Sequence, residues 1–124
     1  MRILIVENCA PLRRLLSEFL EAHPGVEVVG EACNSAEAIG LMMSLSPDLV
    51  LMGLGMPGKD GYEATEVIKT RWPQTRVVIL SDHLSDAYRQ AARAVHADDY
   101  IEKRSMKTPL ANVLSRVHLS SEAA

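Results

Sequence analysis

The chain has 124 residues, of which 48% are hydrophobic and 23% charged. That is the length of one domain able to bury a core around a sheet, and the composition suggests neither a disordered chain nor a membrane class. The net charge is −3, with 13 basic residues scattered among 16 acidic ones, so there is no electrostatic footprint for direct nucleic-acid binding. The opening apolar run, Ile3 to Val6, is cut off by Glu7 and Asn8 and is too short for a signal peptide. No apolar stretch approaches the roughly 18 residues that span a bilayer. A cytoplasmic protein without membrane attachment is expected. Cys9 and Cys33 have neither metal-ligand spacing nor the number for a disulfide framework.

In chain order, strand-length apolar runs alternate with segments of helical spacing. Ile3–Val6, Val26–Val29, Leu49–Met52, Val77–Leu80 and Tyr100–Ile101 have few polar interruptions, which suits strands covered on both faces of a parallel sheet. After the first, Leu12, Leu15, Leu16, Phe19 and Leu20 share one helical stripe and leave Arg13, Arg14, Glu18 and Glu21 outside. Ala38, Ile39 and Met42 follow the second strand, and Ala64, Val67 and Ile68 the third. Leu84, Tyr88, Ala91, Ala92 and Val95 follow the fourth, and Leu110, Val113, Leu114 and Val117 the fifth.

Helix starts are marked by Pro11, by Asn34 with Glu37 three residues on, by Ser85, and by Thr108 with Pro109. The pattern predicts an α/β domain over residues 1–120, a (βα)5 doubly wound parallel sheet with right-handed crossovers, and a short polar tail over 121–124. In such a sheet functional side chains gather at the carboxyl ends of the strands. Those ends carry Glu7 and Asn8, Gly53 to Gly55, Ser81 and Asp82, and Lys103.

The blocks Ile3-Leu4-Ile5-Val6-Glu7-Asn8, Pro47 to Gly61 with its Met56-Pro57-Gly58-Lys59-Asp60-Gly61 segment, Val77 to Ser81, and Tyr100-Ile101-Glu102-Lys103 resemble the landmark segments of response-regulator receiver domains. The resemblance runs from residue 2 to about residue 118 and is greatest with receivers of regulators that carry a helix-turn-helix output. It implies the flavodoxin-like fold with strand order 2-1-3-4-5. It also implies an acidic pair that holds Mg²⁺ after the first strand, a phosphoacceptor Asp after the third, Ser or Thr after the fourth, and Lys after the fifth. Glu7, Ser81 and Lys103 match this pattern, and Tyr100 matches the family's aromatic switch residue. Asn8 stands where the second acid belongs, and Gly53 where the acceptor belongs.

Phosphoryl transfer to an acyl phosphate needs a carboxylate nucleophile, and glycine supplies none. Asp48, at the opposite end of the same strand, and Asp60, in the following loop, do not replace it. A second reading of Gly53 is a backbone position that needs positive φ. Glu7 alone contributes carboxylate charge, so Mg²⁺ binding is expected to be weak or absent, and no other cofactor or metal is expected. Asn8 is either a lost metal ligand or a local cap or turn residue. Asp82 stands where the family has a small residue. It is either a pocket carboxylate that accepts from Lys103 or a nearby hydroxyl, or an exposed loop acid. Lys103, without an acid at 53, is expected to pair with Glu7 or Asp82.

The resemblance leads to a non-enzymatic pseudo-receiver that signals through protein contacts. Its partner, or a second copy in a homodimer, would meet the face built from the fourth helix, fifth strand and fifth helix, roughly Ser85–Val95, Tyr100–Lys103 and Pro109–Leu119. The alternative is a sensor of a small ligand or anion, bound near Ser81 and Lys103 in the emptied acidic pocket. His23, His83, His96 and His118 show no ligand spacing.

Overall fold

Strands and helices alternate along the chain, and every sheet pairing is parallel. The computed structural model describes residues 1–54, 61–82 and 85–123, with side chains to residue 116. Gly55, Met56, Pro57, Gly58, Lys59, Asp60, His83 and Leu84, which figure in the sequence reading, lie outside the described residues, as do the side chains of Val117, His118 and Leu119. The strands are β1 (Arg2–Val6), β2 (Glu27–Ala32), β3 (Leu49–Gly53), β4 (Arg76–Ser81) and β5 (Asp99–Glu102). The helices are α1 (Ala10–Glu21), α2 (Ser35–Leu45), α3 (Gly61–Arg71), α4 (Asp86–Ala94) and α5 (Lys107–Ala123), with a 3₁₀ turn over Lys103–Ser105. The sheet order is β2-β1-β3-β4-β5. This is the doubly wound flavodoxin-like arrangement that the sequence resemblance implies.

The two-residue period of the strands sorts the core into two layers. Leu4, Val6, Val50, Met52, Val77 and Ile79 face one way and pack with Ala38, Met42, Ala64, Ile68 and Ala92 of α2, α3 and α4. Ile3, Ile5, Leu49, Leu51, Val78 and Leu80 face the other way and pack with Leu16, Leu20, Leu110, Val113 and Leu114 of α1 and α5. Fully burying a side chain of this size stabilises the fold by about 1.5–3 kcal/mol. The two layers are therefore the main source of stability, and they hold the strand ends in fixed register.

Polar clasps close the amino-terminal edge of the sheet. Asp48 Oδ2 accepts from the Arg2 backbone N–H at 2.8 Å, so this acid binds the edge farthest from the strand ends that carry Glu7 and Lys103. Asp98 Oδ2 accepts from Val77 N at 2.8 Å and pairs with Lys69 Nζ at 2.9 Å.

Several boundaries and exposures differ from the sequence reading. β2 begins at Glu27 and runs to Ala32, past the expected Val26–Val29, because an edge strand tolerates Glu27, Gly30 and Glu31 among its apolar residues. Its pairing with β1 jumps from Ile3↔Val28 to Leu4↔Gly30, which leaves Val29 as the extra residue of a bulge. Leu15, expected on the buried stripe of α1, is 44% exposed and borders a groove whose other wall is the Lys103–Pro109 segment. Tyr88, expected on the buried stripe of α4, is 37% exposed; its backbone carbonyl accepts from the Tyr62 hydroxyl at 3.1 Å. α5 starts at Lys107, which places Thr108 and Pro109 inside its first turn, and it continues to Ala123, past residue 120.

Asn34 caps α2, its Oδ1 accepting from Glu37 N at 2.8 Å. The Glu37 carboxylate in turn accepts from Cys33 Sγ at 3.0 Å. This hydrogen bond, followed by slight burial and the nearby negative charge, raises the Cys33 thiol above its ordinary range. At pH 8 the thiolate fraction is thereby reduced, and the thiolate is the nucleophile. Glu37→Gln is expected to speed iodoacetamide alkylation of Cys33 several-fold at pH 8, followed by peptide mass mapping. An unchanged rate would show that Glu37 does not control this thiol.

Candidate functional site

Register places the site. Val6 of β1 pairs with Met52 of β3, so Glu7, one residue further, comes level with Gly53. Gly53 pairs with Leu80 of β4, and the next residue of β4, Ser81, pairs with Glu102 of β5, one residue before Lys103. Four parallel strands thus deliver Glu7, Gly53, Ser81 and Lys103 to one edge.

Glu7 is the centre of the arrangement and is only 2% exposed. Its backbone N–H donates to Ala32 O at 2.9 Å, and its carbonyl accepts from Arg13 Nη1 at 2.7 Å. Arg13 also pairs through Nε with Glu31 Oε1 at 3.1 Å, tying α1 to β2 across the end of β1. The Glu7 side chain turns inward. Oε1 accepts from Cys9 N at 3.3 Å, and Oε2 lies 3.2 Å from Lys103 Nζ. The ammonium neutralises Oε2 without meeting it along a hydrogen-bond direction, so among the described residues Oε2 is charge-paired but has no directed donor. Lys103 is partly shielded at 16% exposure. The pair satisfies the sequence expectation for Lys103, with Glu7 and not Asp82 as the partner.

Gly53 lies beneath that carboxylate. A Cβ at position 53 would fall 2.2 Å from Glu7 Oε2, and 3.1 Å from both Glu7 Cδ and the Val6 carbonyl oxygen. The φ of Gly53 is outside the left-handed region. The second reading of this glycine, a need for positive φ, is therefore corrected: φ is ordinary, and the volume a side chain would enter is occupied by the end of the Glu7 side chain. Gly61, the first residue of α3, is also held tight, with its carbonyl-facing side 2.5 Å from Gly53 O if it carried a Cβ.

The remaining sequence candidates sit around this pair. Ser81 is buried at the end of β4. Asp82 follows it and is exposed, the placement of a loop acid. Asn8 is exposed as well, and the N-cap of α1 is Cys9, so Asn8 does not cap that helix. Tyr100 is buried in the core layer under α4, with the Arg89 guanidinium 5.5 Å from its ring centroid. Sequence reasoning missed Arg13, which helical spacing put on the outer side of α1. Its role depends on β2 bringing Glu31 alongside, a long-range contact with no local signal.

These residues do not fit a Mg²⁺ site. The ion asks for several oxygen ligands with carboxylate charge. The single carboxylate here is turned onto Gly53 and compensated by Lys103, Asn8 offers only a neutral amide, and no cluster of three acidic, histidine or cysteine side chains occurs among the described residues. Among the described residues no helix is long and apolar enough to cross a membrane.

Residues 3–115 match the response regulator receiver domain family. The chain is 33% identical over 114 residues to the transcriptional regulatory protein LiaR of Bacillus subtilis, covering 92% of this chain and 54% of that protein. It is 34% identical over 116 residues to the response regulator protein VraR of Staphylococcus aureus, covering 94% and 56%. The chain thus spans about half the length of these two relatives. Among solved structures, a LuxR-family two-component response regulator from Aurantimonas superposes with a TM-score of 0.88 at 31% identity, over 94% of this chain and 83% of that one. The signal receiver domain of the NarL regulator from Mycobacterium tuberculosis gives 0.86 at 28%, over 94% and 95%. With the parallel 2-1-3-4-5 sheet and the match over nearly its whole length, the chain belongs to the response regulator receiver domain family and is similar to receivers of LuxR/NarL-type regulators.

Proposed function

We propose that this receiver is a pseudo-receiver, a phosphorylation-independent signalling and protein-interaction module without enzymatic activity, working in the cytoplasm. The observation that carries the reading is Gly53. It stands at the position where the family has its phosphoacceptor Asp, and the space its side chain would fill is taken by the Glu7 carboxylate. Without a carboxylate at 53 there is no nucleophile for the phosphoryl group, and the acid that would share a metal is committed to Lys103. The same occupation weighs against the alternative, a ligand sensor, at the position beside Gly53, where the Glu7 carboxylate stands paired with Lys103.

In this reading the chain acts through the face of α4, β5 and α5, toward a protein partner or a second copy. The exposed run from Ser85 to Gln90, with half-exposed Tyr88, supports that assignment. Arg89 over the Tyr100 ring links this face to the core, and such a contact adds about 0.5–1 kcal/mol.

Incubation with acetyl phosphate and Mg²⁺, followed by intact-mass measurement, tests the reading. No added phosphoryl group is expected. A phosphoryl adduct mapped to any aspartate or glutamate of the chain would overturn the proposal.

A further inference from the structure

Glu7 and Gly53 fit one another more closely than the loss of an acceptor requires. The carboxylate fills the volume into which any side chain at 53 would project, since a Cβ there would lie 2.2 Å from Oε2. Its backbone is fixed from outside by Arg13, and its two oxygens reach Cys9 N and Lys103 Nζ. Glu7 stands at the end of β1, Gly53 ends β3 and Lys103 follows β5. The Glu7 and Lys103 side chains, meeting at 3.2 Å, therefore bridge together from the end of β1, over β3, to the turn that leads into α5.

We infer that the Glu7 carboxylate is a built-in latch: it occupies the slot vacated at position 53 and supplies Lys103 with its counter-charge from within the chain. The turn Lys103–Ser105, which joins β5 and Tyr100 to the start of α5, is thereby held in one arrangement without metal or phosphoryl group. Glycine is the residue that leaves this slot to Glu7 without displacing it. Even alanine would place a methyl carbon inside the carboxylate, whereas the other near neighbour, the Val6 carbonyl oxygen at 3.1 Å, needs only a few tenths of an ångström of relief. The consequence for signalling rests on the phosphorylation-independent reading, while the coupling between positions 7 and 53 stands apart from it.

The test is a cycle of urea-unfolding midpoints for Gly53→Ala, Glu7→Ala and the double variant. Each single change is expected to lower the midpoint. In the Glu7→Ala background, Gly53→Ala is expected to lose most of its effect, keeping the small remainder owed to the Val6 carbonyl. Equal shifts in both backgrounds would overturn the latch. Should Gly53→Ala fail to fold, Glu7→Gln keeps the side-chain shape and removes the charge. Brief acetylation of the folded protein and peptide mass mapping should then find Lys103 modified several-fold faster than in the wild type, with exposed Lys107 unchanged as the internal control. An unchanged Lys103 rate overturns the inference. Phosphoryl labelling would sink the proposed function and leave the latch intact, and an additive cycle would do the reverse, so the two failures are distinguishable.

Discussion

Gly53→Asp is expected to destabilise the chain when divalent cations are absent and to make its stability rise with Mg²⁺. The new side chain enters a volume already held by Glu7, whose Oε2 would lie 2.2 Å from the added Cβ. Glu7 must swing aside, since its carboxylate is the flexible end of a side chain and the strand backbone is not. Forcing extra atoms into a packed site costs roughly 2 kcal/mol. A second carboxylate then shares a single ammonium, Lys103, and like charges at about 4 Å repel by about 4 kcal/mol at an effective dielectric of 20 before relaxation. Backbone strain adds nothing, because φ at position 53 is not left-handed. The displaced Glu7 and the new aspartate form an anionic pair that a divalent cation can neutralise. A cation at a hundred times its dissociation constant returns about 2.7 kcal/mol. Adding Asn8→Asp supplies a further anionic oxygen, and the double variant should show the larger Mg²⁺ rescue and the faster labelling by acetyl phosphate. Urea unfolding with and without MgCl₂ measures the first effect, and intact mass the second. If the single variant is as stable as the wild type without Mg²⁺, Glu7 does not hold the slot. If it labels as fast as the double, Asn8 is no lesion.

The elements were legible in the sequence where the cause is local or periodic. β1, β3 and β4 are covered on both faces, so they read as unbroken apolar runs, and their observed bounds differ from the expected ones by a residue or so. β2 reads as shorter than it is because it is an edge strand with a bulge, and Gly30 and Glu31 look like a strand end when no partner is visible. Leu15 and Tyr88 have the right spacing for their helices but sit at the rim of the buried stripe, and spacing alone does not say how wide the covering surface is. At the site, the pairing of Lys103 with Glu7 followed from the cost of leaving a shielded ammonium without an acid. What could not be read was the contact between Glu7 and Gly53, because it depends on the register of β1 against β3 and on the side-chain direction. The same holds for Arg13, whose partners Glu7 and Glu31 belong to two different strands.

Gly61→Ala provides the second large effect, and there the two relevant contributions oppose each other. Gly61 opens α3, and within a helix alanine is favoured over glycine by about 1 kcal/mol. Propensity alone would make this a stabilising change. The Cβ, however, would lie 2.5 Å from the Gly53 carbonyl oxygen, 2.7 Å from Leu54 Cδ2 and 3.3 Å from Met52 Cγ. The Leu54 tip can rotate away. The Gly53 oxygen is backbone of a central strand in register with Leu80 of β4, so relief falls on the first turn of α3, which leads into buried Ala64 and Ile68. Overpacking of this kind costs about 3 kcal/mol at the upper end of its usual range. The clash therefore wins, and a net loss of about 2 kcal/mol is expected, read as a lower urea midpoint with an unchanged slope. Because the obstacle is backbone, no side-chain truncation nearby should rescue it, in contrast to Gly53→Ala, whose cost should largely vanish in the Glu7→Ala background. A stability equal to or above that of the wild type would mean that α3 can shift freely at its first turn.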